Sequence, residues 1–98
     1  MYKKDDYLNI LRDFKEKYGV DYGIINIGLF GSIARDEHTE TSDVDVLVEA
    51  PEMDLFLRIS LKNKLEAILG VNVDVVRKSK YMNQRFKTRI EKEVIYVW

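Results

Sequence analysis

Cysteine is absent from this chain, and histidine and proline occur once each. Without cysteine there is no disulfide, no thiolate metal site and no sulfur nucleophile, which fits a reducing cytoplasm. A single histidine, His38 in a polar stretch, leaves no cluster of imidazoles for zinc and reads as a solvated loop residue. No stretch approaches the roughly 20 apolar residues of a membrane span. The opening "MYKKDDYLNI" lacks the apolar run of a secretory leader. A large charge excess is missing too: the net charge is −1, so no overall positive field draws in nucleic acid. What remains is ordinary globular material. Of its 98 residues 46% are hydrophobic, which leads us to expect one domain over residues 1–98, without repeats or linkers.

The charges that are present are segregated. Between Asp36 and Leu57 stand eight acids and no base, whereas Arg77 to Lys92 holds seven bases and one acid, Glu91. Two solvated surfaces of opposite sign explain this simply; a metal-binding edge beside a surface for phosphate or an acidic partner explains it more sharply.

Periodicity predicts the elements. Tyr7, Leu11, Phe14 and Tyr18 recur at helical spacing over Asp5 to Tyr18, and Gly19 supplies a stop. Ile24 to Phe30 is an apolar run of strand length, followed by "GSIARDE", which can start a short helix, and a polar loop. Val44 to Val48 is apolar on both faces, as in a central strand. Pro51 ends it. Met53 to Leu69 then reads as a helix with a Leu57, Leu61, Leu65, Ile68 core stripe, and Val71 to Val76 as a third strand. Ser79 to about Glu93 is expected to be helical and "VIYVW" to be a last strand, in which Tyr96 and Trp98 are either core or interface. The fold class is α/β (α+β): a small mixed sheet with helices packed on it.

Within this frame three aspartates stand out. Asp43 and Asp45 lie one residue apart, so on an extended chain they project to the same side. Asp74 sits inside the next apolar strand and joins them if the two strands are neighbours. Singly, each has a plain explanation, as a turn cap or as an edge charge against aggregation. Together, carboxylates about 4 Å apart repel by about 4 kcal/mol at an effective dielectric near 20, and either take up protons or recruit a hard divalent cation, Mg²⁺ or Mn²⁺. Upstream, Gly31 permits close backbone approach and Ser32 brings a hydroxyl donor, a weak phosphate signal alone. It is no Walker A loop, since no Gly-Lys-Ser/Thr follows.

The stretch "GSIARDEHTETSDVDVLV" resembles the nucleotidyltransferase signature: Gly-Ser, about ten residues, Asp-x-Asp, and a third carboxylate on a later strand. That superfamily includes DNA polymerase beta and the aminoglycoside nucleotidyltransferases. The Gly-Ser-x-x-Arg and Ser-Asp-x-Asp forms and the short chain are most similar to the minimal nucleotidyltransferases (MNT), antitoxins paired with HEPN-domain toxins. The resemblance implies the polymerase beta-like fold. It implies nucleotide binding at Gly31, Ser32 and Arg35, the arginine either contacting phosphate or bracing the loop, and Mg²⁺, as two ions, at the catalytic triad Asp43, Asp45 and Asp74. Many relatives have glycine after the motif arginine; here Asp36 stands in its place. The implied reaction transfers AMP from ATP to a hydroxyl, with pyrophosphate leaving. A chain this short leads us to expect no separate acceptor-binding domain and a partner protein that brings its own hydroxyl; the resemblance implies that this partner is a HEPN toxin modified on a tyrosine. A small-molecule acceptor, as in antibiotic modification, and a non-catalytic antitoxin that acts by binding are the alternatives.

Overall fold

The computed structural model describes residues 2–97, so Trp98, the end of the expected last strand, lies outside the described residues. The elements follow in the order α1 (Lys4–Tyr18), β1 (Asn26–Phe30), α2 (Gly31–Ala34), β2 (Val44–Glu49), α3 (Leu55–Leu69), β3 (Val73–Arg77), α4 (Gln84–Glu93) and β4 (Ile95–Val97). The strands form one sheet in the order β3-β2-β1-β4. β1 is antiparallel to both β2 and β4, and β2 is parallel to β3. The sheet is therefore mixed. Its parallel pair is joined through α3, as a parallel connection requires.

Alternation along the strands sorts the side chains into two layers. Val44, Val46 and Val48 of β2, with Ile27, Leu29 and Val73, face Leu11 and Phe14 of α1 and Leu61, Leu65 and Leu69 of α3. The opposite face is smaller. Phe30, Leu47 and Ile90 form its buried centre, with Val76, Met82, Phe86, Val94 and Tyr96 around them. α4 is the helix on that second face. β2, apolar to both sides and interior to the sheet, is the central strand its composition leads one to expect.

Local chemistry sets the helix ends. The Asp6 carboxylate accepts the Lys3 N–H at 2.8 Å at the start of α1. Asp54 accepts the Leu57 N–H at 2.8 Å to start α3, two residues later than the apolar pattern suggests. Asn83 accepts the Arg85 and Phe86 N–H groups, so α4 begins at Gln84 rather than at Ser79. One expected core residue is corrected: Ile68 is exposed. The buried line of α3 runs Leu61, Leu65, Leu69 at steps of four, which turns Ile68 outward. No helix among the described residues is long and apolar enough to cross a membrane.

Candidate active site

Asp45 and Asp74 alternate with the core-facing Val44, Val46 and Val73 and so lie on the α4 side of the sheet. In the parallel pair Asp45 stands in register with Asp74, and on its other side it faces Phe30, the last residue of β1. Register partners on neighbouring strands lie about 4.8 Å apart, so the two carboxylates rise side by side. Asp43 immediately precedes β2 with the same parity. Asp43 and Asp74 are exposed and Asp45 is half-buried. Burial pushes the Asp45 carboxyl above the ordinary carboxylate range, the charges of Asp74 and then Asp43 push it further, and Arg35 opposes them. Asp43 also borders an open cleft of about 560 Å³ with Glu40, Thr41, Ser42, Glu66, Gly70, Val71 and Asn72; Asp45 and Asp74 do not line it.

Gly31 explains why the site needs a glycine at that position. It follows β1 directly and adopts φ +75°, a conformation that side chains disfavour. A Cβ there would also run into the carboxylate oxygen Oδ2 of Asp45. Gly31 thus supplies room, and the Asp45 carboxylate packs against its bare Cα. Ser32 follows, half-buried.

A fourth carboxylate enters this corner. Glu93, the last residue of α4, accepts the Gly31 N–H at 2.8 Å and the Arg35 guanidinium at 2.9 Å through the same oxygen, Oε2. Its side chain is only 14% exposed. Sequence reasoning passed over it because its partners lie 62 and 58 residues away and it ends a helix in which bases outnumber acids. Arg35 also pairs with Glu37 at 3.1 Å. Asp36, where glycine is common in the resembling family, is the one non-glycine residue of positive φ (59°) among those described, and it pairs with Lys4 at 2.9 Å. Asp is among the few residues that tolerate this region. His38 lies outside the corner, its ring against Tyr7 and its Nε2 at 3.0 Å from the Tyr2 carbonyl oxygen.

The donor set suits a hard cation: all oxygen, crowded, with one carboxyl already resisting ionisation. As the side chains stand, no group of three or more acids or histidines among the described residues closes into a metal cage. The fit to Mg²⁺ is one of chemistry, at an open edge that a substrate phosphate can complete.

Comparison with known proteins gives a consistent result. Residues 8–97 match the family model described as "Nucleotidyltransferase domain". Protein adenylyltransferase MntA of Thermococcus cleftensis is 42% identical over 91% of this chain and 90% of its own. A solved structure of a candidate minimal nucleotidyltransferase superposes with a TM-score of 0.79 at 32% identity, covering 96% of this chain and 95% of that one. The fold also matches a chain in the structure of a tri-AMPylated Shewanella oneidensis HEPN toxin in complex with its MNT antitoxin. There the TM-score is 0.67 at 22% identity, over 93% of this chain and 71% of that one.

Proposed function

We propose, from the nucleotidyltransferase domain family to which the chain belongs, that this enzyme transfers AMP from ATP to a hydroxyl of a partner protein in the cytoplasm. The acceptor is a tyrosine of a HEPN-domain toxin, and the chain is the matching antitoxin, one domain over residues 1–98 that relies on its partner to bring the hydroxyl. The relative from T. cleftensis is named a protein adenylyltransferase, and the S. oneidensis complex pairs an AMP-modified HEPN toxin with an MNT antitoxin. The observation that carries the reading is the in-register pair Asp45 and Asp74 beside the Gly31 turn, with Asp43 near enough for its charge to act on Asp45.

Each residue then has work that its position allows. Asp43, Asp45 and Asp74 would hold Mg²⁺, as two ions. When bound, the ions neutralise the triphosphate and stabilise charge on the entering and leaving oxygens. Ser32, directly after the Gly31 turn, would offer its hydroxyl to a phosphate oxygen, while Gly31 makes room for the Asp45 carboxylate. Arg35 adds positive charge at the same corner. Asp74, exposed at the sheet edge, would take the proton of the acceptor hydroxyl as the hydroxyl oxygen bonds to the α-phosphorus and the bond to pyrophosphate breaks. Exposure of Asp43 and Asp74 leaves the site open to an acceptor carried on another protein.

The test is AMP transfer from ATP and Mg²⁺ to the HEPN partner, followed by mass spectrometry of the partner. Asp43→Asn is expected to reduce the adduct by at least about 10²-fold, as loss of a charged group at a transition state does. Unchanged transfer by that variant would remove the site. Transfer to a small hydroxyl compound with the partner left unmodified would replace the acceptor.

A further inference from the structure

We propose that Glu93, which lies outside the signature, is the positioning residue of the site: its carboxylate fixes the Gly31–Arg35 turn against Asp45 and so decides where Ser32 is presented to a phosphate. The proposal rests on the nucleotidyl-transfer reading above and adds to it a residue on a different element.

Three observations converge. First, one oxygen of Glu93 serves both ends of the turn, taking the Gly31 N–H at 2.8 Å and the Arg35 guanidinium at 2.9 Å. Both bonds are short and share one oxygen, and little of the Glu93 side chain meets solvent. Second, the turn is held from its other side by Asp45, whose carboxylate lies against the Gly31 Cα. Gly31 is thus clamped between an acceptor on its N–H and a side chain on its Cα, at a φ of +75°. Third, the clamp commits groups that could otherwise serve a nucleotide. The Gly31 N–H is already given away, and Arg35 is engaged by Glu93 and by Glu37. Arg35 is then a brace, and Ser32 is the residue the turn offers to phosphate. The other oxygen of Glu93, Oε1, stands 3.8 Å from Arg89 Nε, an i,i+4 ion pair within α4. Because α4 ends at Glu93, the register of this helix on the sheet sets the height of the turn.

Reach, more than charge, is what the geometry demands. Glu93→Gln keeps the length and an acceptor oxygen; Glu93→Asp keeps the charge and shortens the arm by one methylene. Wild type, Glu93→Gln, Glu93→Asp and Glu93→Ala should be compared in the full chain by amide NMR and by Mg·ATP titration. The Gly31 amide signal is expected to shift upfield and to exchange with solvent at least about tenfold faster in Glu93→Ala and Glu93→Asp. In Glu93→Gln it is expected to stay near its wild-type position. Mg·ATP affinity is expected to follow the same order, falling about tenfold or more when the anchor is lost, as small misplacements at a phosphate site do. Core amides such as those of Val46 and Leu47 report whether each variant is folded; where Glu93→Ala does not fold, the Gln and Asp pair still decides. A Gly31 signal indifferent to all three substitutions overturns the proposal, and so does Glu93→Asp matching wild type while Glu93→Gln fails. A wild-type chain that binds no Mg·ATP would instead end the reading of the site, and the Gly31 signal would still decide the anchor.

Discussion

At the scale of single residues, the site is a conflict between carboxylates resolved by a missing side chain. Gly31→Ala tests the missing side chain. It imposes a left-handed conformation worth about 1–2 kcal/mol, and it drives a methyl into the Asp45 carboxylate. Gly23 separates the two effects: its φ is +65° but nothing lies within reach of an added Cβ. Thermal melts are expected to show Gly23→Ala losing only the backbone share, with transfer intact. Gly31→Ala is expected to lose more stability and most of its activity. Equal losses in the two variants would mean that Asp45 does not depend on the bare Cα. Asp45→Asn tests the conflict itself. The folded-state pKa of Asp45 lies above the ordinary value of 3.8, by burial first and then by Asp74 and Asp43. The folded state therefore binds this proton more tightly than the unfolded chain does. Its contribution to stability is fully present below the ordinary value and is lost as pH rises through the raised one. Removing the charge is thus expected to raise the melting midpoint of the metal-free protein at pH 7. The gain should shrink as pH falls through the raised value, while transfer is abolished. A lower midpoint at pH 7 would show that the carboxylates are not in conflict.

At the scale of elements, what was legible in the sequence was what repeats locally. The apolar spacing of α1 and α3, the two-sided apolar run of β2 and the alternation that brings Asp43 and Asp45 to one side are properties of short windows. That β2 and β3 are neighbours became visible only with the sheet; the sequence posed it as a condition, and the parallel register meets it. Capping chemistry was harder to read. Ser79 to Asn83 is as polar as the helix it precedes, so nothing in its composition marks the start of α4; only the Asn83 side chain, bonded to the amides of Arg85 and Phe86, does. Ile68 misled because a step of three from Leu65 is as helical as a step of four, and only the sheet decides which of Ile68 and Leu69 turns inward. Glu93 was illegible for a stronger reason. Its meaning lies in a contact between the end of α4 and the end of β1, and no local pattern encodes a contact 62 residues long.

At the scale of the whole molecule, the two faces of the sheet are unequal, and the site depends on the weaker one. Among the described residues, seventeen buried ones join α1, α3 and the sheet into one cluster, whereas three, Phe30, Leu47 and Ile90, form the buried centre beneath α4. Free energy of local opening follows buried apolar contact, so α4 is expected to detach before the sheet and the other two helices come apart. Native-state hydrogen exchange measures this directly. Amides of α4 should exchange through a sub-global opening, and the Gly31 amide, whose acceptor is Glu93 at the end of that helix, should open with them. The amides of Val46 and Leu61, in the large cluster, should wait for global unfolding. Substitutions sharpen the contrast. Leu65→Ala removes a buried side chain from the large cluster and is expected to lower the opening free energy of all protected amides together, by about 2–5 kcal/mol. Ile90→Ala is expected to lower it for α4 and Gly31 while leaving the sheet amides nearly unchanged, and to weaken Mg·ATP binding although Ile90 lies among none of the site residues. Such a result would make the docking of one ten-residue helix the control on the catalytic corner. Exchange of Gly31 together with the sheet amides, unaffected by Ile90→Ala, would uncouple them.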